Sequence, residues 1–244
     1  MIVEERIQSR YLMSGTGEFS VFLPDDYETS GKTYPLLFIL HGVLESNISC
    51  ARKGAVTGHF VIVMPRGHNS FYVNGFGFFD GNPGHEYDNF FNRELIPYVE
   101  SHYRVYRDRG HTAISGLSMG GYGALRQALL HPDRYHACFS ISGATEGLNC
   151  VGITRKVPSI VSIIKNNRSL YGDKFEYLPK LSLECGFPDP ICGIANVITH
   201  YRLKRMGVPH RYKVYWGTHD WHLWRKLIKK MVSSLWREYA ADSK

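Results

Sequence analysis

Two short runs made only of apolar residues constrain the fold more than any other feature of the chain. The first, Leu36–Leu40 (LLFIL), lies between Pro35 and His41, and the second, residues 60–64 (FVIVM), is followed by Pro65 and two further residues that favour a turn. Five consecutive apolar residues without a polar position are typical of strands that are covered on both faces. The runs therefore predict a parallel sheet with helices on both sides.

Helical and strand-like patterns alternate along the rest of the chain. We predict helices at 87–103, Met119–Leu130, 191–206 and 221–239, strands at 19–23, 111–115, 137–142, 181–185 and Arg211–Trp216, and a short helical excursion over the sheet within 145–180. Pro97 is expected to interrupt or kink the first helix. Such alternation predicts an α/β fold with a mostly parallel, doubly wound sheet flanked by helices. No repeat or low-complexity linker divides the chain, so we predict a single domain over residues 1–244.

The composition excludes several classes of protein. The 244 residues are 43% hydrophobic, 21% charged and 14% aromatic, which is a globular composition and not that of a disordered, coiled-coil or collagen-like chain. No apolar run approaches the roughly 18 to 20 residues that cross a bilayer, so we expect no membrane partner. The first residues lead into no apolar signal segment. The cytoplasm is therefore the default location, although a secreted protein whose signal had been removed would look the same.

Charge and cysteine content narrow the expected partners. The net charge is +7, and much of the basic excess lies near the end of the chain, at Arg225, Lys226, Lys229, Lys230 and Arg237. Apolar residues interleave with these cations, which indicates the polar face of an amphipathic helix, and no recognition motif predicts a nucleic-acid partner. The five cysteines form no C-x-x-C pair, which argues against a zinc site or a disulfide framework. A bridge between Cys150 and Cys192 stays open for an oxidising compartment.

A glycine-flanked serine lies between a predicted strand and a predicted helix. Residues 116–120 (GLSMG) satisfy G-x-S-x-G, after the strand at 111–115 and before the Ala-rich helix Met119–Leu130. This arrangement is typical of the nucleophile elbow of α/β-hydrolases, in which a tight turn strains the backbone of the serine. The amino end of the following helix favours developing negative charge at the same place. Ser118 is therefore the predicted nucleophile.

A serine hydroxyl becomes a good nucleophile only when a base takes its proton and an acid orients that base. In this fold the acid follows the serine in the chain and the histidine comes last. Among the histidines after Ser118, His219 alone follows the last predicted strand and precedes the last predicted helix, in residues 217–221 (GTHDW). His219 is the predicted base, and His222, one turn into the helix, is the weaker alternative.

The candidate acids are the carboxylates between the serine and the histidine. Asp189 lies in a loop with two prolines directly after the strand predicted at 181–185, at a carboxyl end from which it could reach His219. Glu146, which follows the strand predicted at 137–142, is the second candidate and Asp173 is the third. An aspartate before proline is often only a turn residue. We therefore rank Asp189 first and leave the other two open.

Main-chain donors and aromatic side chains complete the predicted site. In α/β-hydrolases two backbone N–H groups donate to the oxyanion. One comes from the loop after the strand predicted here at Leu36–Leu40, and the other comes from the residue after the nucleophile. Those positions are Val43 and Met119, while His41 is expected to be a hydrogen-bonded structural residue. Four aromatic residues are candidates for the wall of the substrate pocket, with packing in the core as the alternative for each: Phe71 and Tyr72, from the aromatic stretch 71–79, and Trp221 and Trp224.

Together these residues resemble the esterase family of α/β-hydrolases, which includes feruloyl and acetyl-xylan esterases, tributyrin esterases, S-formylglutathione hydrolases and mycolyltransferases. The resemblance extends from about Tyr34 to Trp236 and rests on LLFILHG, NRELIPYVE followed by YRV, SGLSMGG, Cys185-Gly186 with Asp189, and GTHDW. It implies the α/β-hydrolase fold, with Ser118 as nucleophile, Asp189 as acid and His219 as base, and with oxyanion donors at Val43 and Met119. Phe187-Pro188 stand where small or polar residues are expected before the acid.

The predicted function is that of a serine carboxylic-ester hydrolase acting through an acyl-enzyme. Aromatic walls would suit a cinnamoyl-type acyl group or a sugar ring, so feruloyl or acetyl esters of plant polysaccharide are expected substrates, together with short-chain esters. No metal and no organic cofactor is expected. The alternatives are an acyltransferase of the same fold, an inactive binding domain, and a metal hydrolase built on His219, Asp220 and His222. The sequence does not specify the oligomeric state.

Overall fold

The computed structural model describes residues 1–77, 84–146 and 157–242, and these include one eight-stranded sheet. The strands are β1 (Ile2–Gln8), β2 (Thr16–Phe22), β3 (Leu36–Leu40), β4 (Val61–Pro65), β5 (Thr112–Leu117), β6 (Ala137–Ile141), β7 (Lys180–Phe187) and β8 (Arg211–Trp216). Their spatial order is β1-β2-β4-β3-β5-β6-β7-β8. The strands from β4 to β8 in this order pair in parallel, whereas β1 with β2 and β2 with β4 pair antiparallel. The predicted α/β class with a mostly parallel sheet is confirmed.

The two apolar runs form strands that are buried on both faces, as predicted. In β3, Leu36, Phe38 and Leu40 join a core on one face of the sheet, and Leu37 and Ile39 join a second core on the other face. Successive side chains of a strand point to opposite faces, so a wholly apolar strand can serve two cores at once. The sheet is therefore the middle of three layers.

Helices cover both faces of the sheet. They are α1 (Tyr27–Ser30), α2 (Ser49–Arg52), α3 (Tyr87–Phe90), α4 (Ile96–His102), α5 (Met119–Leu130), α6 (Ile160–Asn166), α7 (Gly193–Arg205) and α8 (Trp221–Asp242), with 3₁₀ turns at Arg109–His111 and Arg168–Tyr171. Apolar residues of α3 to α7 belong to the first core, and those of α8 belong to the second. Among the described helices, none is both long and apolar enough to cross a membrane.

The expected break at Pro97 takes the form of a π-helical turn. The segment Phe91–Leu95 has π geometry and joins α3 to α4 without an interruption. Pro97 then lies in the first turn of α4, where a missing N–H removes no α-helical hydrogen bond. The wider turn thus lets the chain continue as a helix through a residue that would otherwise kink it.

The strand β1 was not predicted, because its residues look like a charged terminus. Its side chains alternate between exposed and partly buried positions, and Glu4 and Arg6 are among the exposed ones. β1 is an edge strand that pairs only with β2. Charged side chains are common on edge strands because they discourage pairing with another chain.

The short helical excursion predicted within residues 145–180 is confirmed by α6 and the following 3₁₀ turn.

Two other parts of the sequence-based prediction lie outside the described residues. Residues 147–156 fall in a range that the structure does not describe, so the pairing of Cys150 with Cys192 stays a prediction. The end of the aromatic stretch, Phe78 and Phe79, falls in the other such range.

Candidate active site

Ser118 occupies the sharp turn between β5 and α5. Its backbone has φ 54° and ψ −118°, a region that L residues rarely adopt and that stores local strain. The Ser118 N–H donates to the Ile141 carbonyl (2.9 Å), and the Ser118 carbonyl accepts from the N–H groups of Ala144 (3.1 Å) and Tyr122 (3.2 Å). These bonds to β6, the loop after it and α5 hold the strained turn in place.

The two flanking glycines are required by close contacts between backbones. A Cβ atom on Gly116 would lie 2.1 Å from the Gly120 carbonyl oxygen. A Cβ atom on Gly120 would lie 2.0 Å from the carbonyl oxygen of Leu40, at the end of β3. Because these contacts are made by main-chain atoms, no side chain can rotate away to relieve them. The G-x-S-x-G pattern therefore follows from how tightly α5 begins against β5 and β3.

A series of hydrogen bonds joins three side chains from distant parts of the chain. The Ser118 hydroxyl lies 3.0 Å from His219 Nε2, and His219 Nδ1 lies 2.9 Å from Asp189 Oδ2. Ser118 follows β5, Asp189 follows β7 and His219 follows β8. All three strands are parallel, so their carboxyl ends lie at one edge of the sheet. The structure thus brings together the three residues predicted from the sequence.

The Asp189 carboxylate is buried and held by three N–H groups. Oδ1 accepts from the backbone N–H groups of Ile191 (3.0 Å) and Cys192 (2.8 Å), and Oδ2 accepts from His219. Burial opposes ionisation of the carboxyl group, but the hydrogen bonds from His219 and Cys192 outweigh this effect and lower its pKa to about 2. The group is therefore an anion at neutral pH, which favours the proton of His219 on Nδ1 and leaves Nε2 facing Ser118.

The alternative residues have other partners. Glu146 accepts from Thr199 Oγ1 (3.0 Å) and forms an ion pair with Arg202 (2.8 Å), both on α7. Asp173 follows the 3₁₀ turn Arg168–Tyr171, and its carbonyl accepts from Arg168. The side chain of His222 is exposed on the first turn of α8. None of these side chains is hydrogen-bonded to Ser118 or His219 within the described part of the chain.

Comparison with known proteins identifies the family of the chain. The model of the Esterase family matches residues 12–163, which is more than half of the chain. The chain belongs to the esterase family. Over 131 residues the esterase-family chain is 34% identical to Esterase Rv1288 of Mycobacterium tuberculosis, an alignment that covers 51% of this chain and 28% of that protein. The chain therefore spans under a third of the length of this relative.

Two further proteins are similar over more of their length. The Acetyl esterase of Caldicellulosiruptor saccharolyticus is 26% identical over 217 residues, which cover 79% of each chain. The solved structure of a ferulic acid esterase superposes with a TM-score of 0.81 at 28% identity, and the match covers 97% of both chains. The fold of the esterase-family chain is thus that of α/β-hydrolase esterases.

The loop after β3 lies against Ser118 in the esterase-family chain. A Cβ atom on Gly42 would be 3.4 Å from the Cβ of Ser118, so the next residue, Val43, is adjacent to the nucleophile. Within the described residues, neither the Val43 N–H nor the Met119 N–H donates to another group. Both groups therefore lack a hydrogen-bond acceptor within the described residues, and their role as oxyanion donors stays a prediction.

His41 orients this loop through both of its ring nitrogens. Nδ1 lies 2.7 Å from the Gly42 carbonyl oxygen, and Nε2 lies 2.9 Å from the backbone nitrogen of Gly67. The Gly67 N–H must donate to Nε2, so Nδ1 carries the proton and donates to Gly42. The Gly42 carbonyl and the Val43 N–H belong to one planar peptide group, and the bond to the carbonyl therefore sets the direction of the N–H. Burial of the ring lowers the pKa of His41 to about 4, so the ring is neutral.

The four aromatic candidates occupy different environments. Tyr72 is 2% exposed, packs edge-on against His41 and lies against Gly67 and Gly123. Phe71 is also buried and packs against Phe76 and Tyr122. Core packing, the alternative stated for each of these aromatic residues, is therefore what the structure shows for Tyr72 and Phe71.

Trp224 is 6% exposed and belongs to the core under α8, and it also lies beside the hydrogen-bonded series. The Trp224 ring meets the His219 ring edge-on, with 4.9 Å between the centroids. Trp221 is partly exposed, and its indole N–H donates to Glu45 Oε1 (2.7 Å). A role in binding substrate stays a prediction for Trp221 and Trp224.

Sequence reasoning missed several polar contacts of these loops. Trp221 and Glu45 join the start of α8 to the loop after β3, and the Leu44 N–H in that loop donates to Asn69 Oδ1 (2.9 Å). Asp220 caps α8 by accepting from the N–H groups of His222 and Leu223. An aspartate directly before a helix is a signal for such a cap, whereas nothing local in the sequence indicates the contact of Glu45 with Trp221.

The metal-hydrolase alternative would require a cluster of metal-binding side chains. In residues 1–77, 84–146 and 157–242, no group of three or more His, Cys, Asp or Glu side chains is arranged to hold a metal ion. Of the three residues named for that alternative, His219 is hydrogen-bonded to Ser118 and Asp189, and Asp220 caps α8.

Proposed function

We propose that this chain is a serine carboxylic-ester hydrolase that acts through an acyl-enzyme. The observation that carries the proposal is the hydrogen-bonded series from Ser118 to His219 (3.0 Å) and from His219 to Asp189 (2.9 Å). It starts at a strained strand-to-helix turn, where the nucleophile is presented at the sheet edge. Membership of the esterase family and similarity to an acetyl esterase and a ferulic acid esterase support ester hydrolysis.

In the first step, Ser118 Oγ attacks the ester carbonyl while His219 Nε2 takes the hydroxyl proton. The new C–O bond places a negative charge on the carbonyl oxygen, and His219 becomes an imidazolium. The anionic Asp189, already bonded to Nδ1, stabilises that cation. The imidazolium then gives its proton to the leaving alcohol as the ester C–O bond breaks, which leaves the acyl group on Ser118.

The oxyanion is stabilised by the backbone N–H groups of Val43 and Met119. Removal of one such donor typically lowers kcat by about 10²- to 10³-fold. The N-terminus of the twelve-residue helix α5 points at the same place and adds a favourable field. In the second step a water molecule attacks the acyl carbonyl while His219 takes its proton, and the imidazolium then returns that proton to Ser118 Oγ as the acyl–serine bond breaks and the acid product leaves.

Substitution of the nucleophile is the primary test. We expect Ser118→Ala to lower kcat/KM for p-nitrophenyl acetate and methyl ferulate by about 10⁴-fold or more. Ser101→Ala, which removes an exposed hydroxyl on α4, serves as the matched control and is expected to keep full activity. Hydrolysis by Ser118→Ala at the wild-type rate would refute the assignment of the nucleophile.

Two further measurements separate the proposed hydrolase from its alternatives. A fluorophosphonate probe should label the wild type and leave Ser118→Ala unlabelled, whereas an inactive binding domain would leave both unlabelled. Product analysis in the presence of an added acceptor alcohol distinguishes free acid, the product of hydrolysis, from a new ester, the product of acyl transfer.

Similarity to an acetyl esterase and a ferulic acid esterase, together with the aromatic residues around the site, supports a class of substrates. We infer that feruloyl or acetyl esters of plant polysaccharide, or short-chain esters, are hydrolysed. Trp221 and Trp224 would contact the acyl or sugar group. A panel of esters that varies acyl length and aromaticity tests this inference: a kcat/KM that is highest for long aliphatic chains would contradict it.

A further inference from the structure

Helix α7 exposes most of its apolar side chains, with Leu203 as the buried exception, and it buries the polar Asn196 and Thr199. Ile194, Val197, Ile198 and Tyr201 follow the spacing i, i+3, i+4, i+7, and 78%, 40%, 38% and 60% of their surfaces are exposed. Residues at this spacing share one face of a helix. A surface helix normally turns such a face toward the core, so this one lacks a covering partner in the described structure.

The inward face of α7 is held by polar contacts, and this fixes the orientation of the helix. The buried Asn196 side chain donates to the Gly143 carbonyl (2.8 Å), and the buried Thr199 hydroxyl donates to Thr145 Oγ1 (2.9 Å). Rotation of α7 to bury its apolar face would break these bonds and expose their partners. The apolar face is therefore a stable feature of the folded chain.

The edge strand β8 continues this apolar face. Among the described residues, β8 is at one end of the sheet and pairs with β7 alone. Tyr212 stacks on His200 of α7, and Tyr215 packs against the core under α8. Since side chains alternate along a strand, Val214 and Trp216 point to the α7 side, and they are 49% and 84% exposed. We call Ile194, Val197, Ile198, Tyr201, Val214 and Trp216 the α7–β8 surface.

The two edges of the sheet differ in a way that matters for pairing. The edge strand β1 carries the exposed charges Glu4 and Arg6, which protect it from another chain. The edge strand β8 also has two exposed charges, Arg211 and Lys213, but these lie on the face opposite Val214 and Trp216, so its α7 side is apolar. The outer backbone N–H and C=O groups of β8 therefore lie next to apolar side chains whose burial in an interface would be favourable.

One antiparallel register makes β8 complementary to a second copy of itself. A two-fold axis normal to the sheet and passing through Val214 places Val214 opposite its own copy, Tyr212 opposite Trp216, and Lys213 opposite Tyr215. Aromatic pairs across strands are favourable, as is a lysine over an aromatic ring. A register centred on Lys213 would instead put two like charges opposite each other. Charge therefore favours the register through Val214 over the register centred on Lys213.

We propose that a second copy of this chain docks on the α7–β8 surface, with the two β8 strands antiparallel in the register through Val214. The sheet then continues across the two-fold axis as sixteen strands, and the apolar faces of the two α7 helices cover each other. Such an interface is isologous, as in most dimers of identical chains.

The area available fits a stable dimer. From their exposed fractions, the six side chains of the α7–β8 surface present on the order of 700 Å² of mostly apolar surface, before the backbone edge of β8 is added. A standard-size interface buries about 800 Å² per partner. The docked face also adjoins the candidate active site, because Trp216 is three residues before His219. Each Ser118–His219–Asp189 series is nevertheless complete within one chain.

Solution mass tests the proposal directly. We expect the wild type, loaded at about 50 μM in size-exclusion chromatography with light scattering, to have twice the monomer mass of 27.9 kDa, since interfaces of this size have Kd values of roughly 1 μM or lower. Val214→Glu places two carboxylates at the axis and should give the monomer mass. Ile2→Glu, at an exposed position of the other edge strand β1, is the matched control and should remain a dimer.

A cross-link tests the register and covers the case in which Val214→Glu fails to fold. Residues opposite each other in an antiparallel pair have Cα atoms about 4.5–5.5 Å apart, within the range of a disulfide. Val214→Cys should therefore form a disulfide-linked dimer under mild oxidation. Lys213→Cys, whose copies are offset by two residues, and the wild type should not.

The outcomes are decisive in both directions. A dimer that Val214→Glu dissociates, or that Val214→Cys cross-links, supports the proposal. A monomeric wild type, or a dimer that persists in a folded Val214→Glu variant, overturns it. Because these readouts measure mass and not turnover, failure of the dimer would leave the proposed esterase activity intact, and loss of activity in Ser118→Ala would leave the dimer intact.

Discussion

The burial of His41 leads to a prediction about the free energy of unfolding at acidic pH. Its ring accepts from Gly67 and donates to Gly42, and it is 2% exposed. Burial lowers the pKa of His41 from 6.5 to about 4. In the unfolded chain the ring has its ordinary pKa and takes up a proton near pH 6.5.

The sign of the effect follows from which state binds more protons. Between pH 6.5 and pH 4 the unfolded chain is protonated at His41 while the folded chain is not, so the free energy of unfolding falls as the pH falls. Above pH 6.5 the full contribution of His41 to the free energy of unfolding is present. One pKa unit corresponds to about 1.4 kcal/mol, so the loss reaches about 3 kcal/mol at pH 4, and about 2 kcal/mol of it has occurred by pH 5.

Urea unfolding followed by circular dichroism at several pH values measures this loss. His41→Asn and His41→Gln remove the titrating group, and each keeps one of the two hydrogen bonds in a polar side chain of related shape. Both variants should be less stable than the wild type at pH 7, because each loses a buried hydrogen bond worth about 1 kcal/mol. The difference in the free energy of unfolding between the wild type and each variant should become smaller as the pH falls. Only the wild type loses the pH-dependent contribution of His41.

The difference between wild type and variant cancels the titration of all other groups. A gap that stays constant from pH 7 to pH 5 would refute the reasoning, because it would mean that His41 has the same pKa in both states. A gap that widens would indicate that the folded chain holds a protonated ring.

Three further changes test the site. Asp189→Asn preserves the shape of the acid but favours the wrong tautomer of His219. We therefore expect kcat to fall by about 10⁴-fold with little change in KM. A fall of less than tenfold in steady-state assays would contradict the role of Asp189. Gly120→Ala places a Cβ atom 2.0 Å from the Leu40 carbonyl oxygen and should prevent folding, whereas Gly193→Ala, with its nearest contact at 3.5 Å, should fold normally; soluble yield and thermal melts compare the two. Trp221→Phe removes the N–H that donates to Glu45 and should lower the free energy of unfolding by about 1–2 kcal/mol, or the melting temperature by roughly 2–8 °C; an unchanged melting temperature would show that this bond does not stabilise the fold.

The parts of the fold that were predicted correctly are those set by local patterns. A short apolar run such as LLFIL, bounded by residues that break a strand, is typical of a strand covered on both faces. The glycines around Ser118 are required by close contacts between backbone atoms. The three side chains of the hydrogen-bonded series could be chosen because each follows a predicted strand. Parallel strands then bring their carboxyl ends together without any detailed knowledge of packing.

What could not be predicted depends on contacts between residues far apart in the sequence. β1 is a strand because β2 offers it an edge, and its own charged residues give no apolar run. Tyr72 fills space beside Gly67 and Gly123, so its burial depends on how the loop after β4 packs against α5, which the sequence does not show. The bond between Glu45 and Trp221 spans 176 positions, and only the folded chain reveals it.

The way in which Asp189 is anchored has a consequence for how this protein can change during evolution. Two of its three N–H donors are main-chain groups, at Ile191 and Cys192, and every residue except proline can supply such a group. Side chains at these two positions can therefore be exchanged without releasing the carboxylate. Ile191 itself is 69% exposed. Mutations at this rim could alter what the protein recognises while the chemistry behind it is preserved.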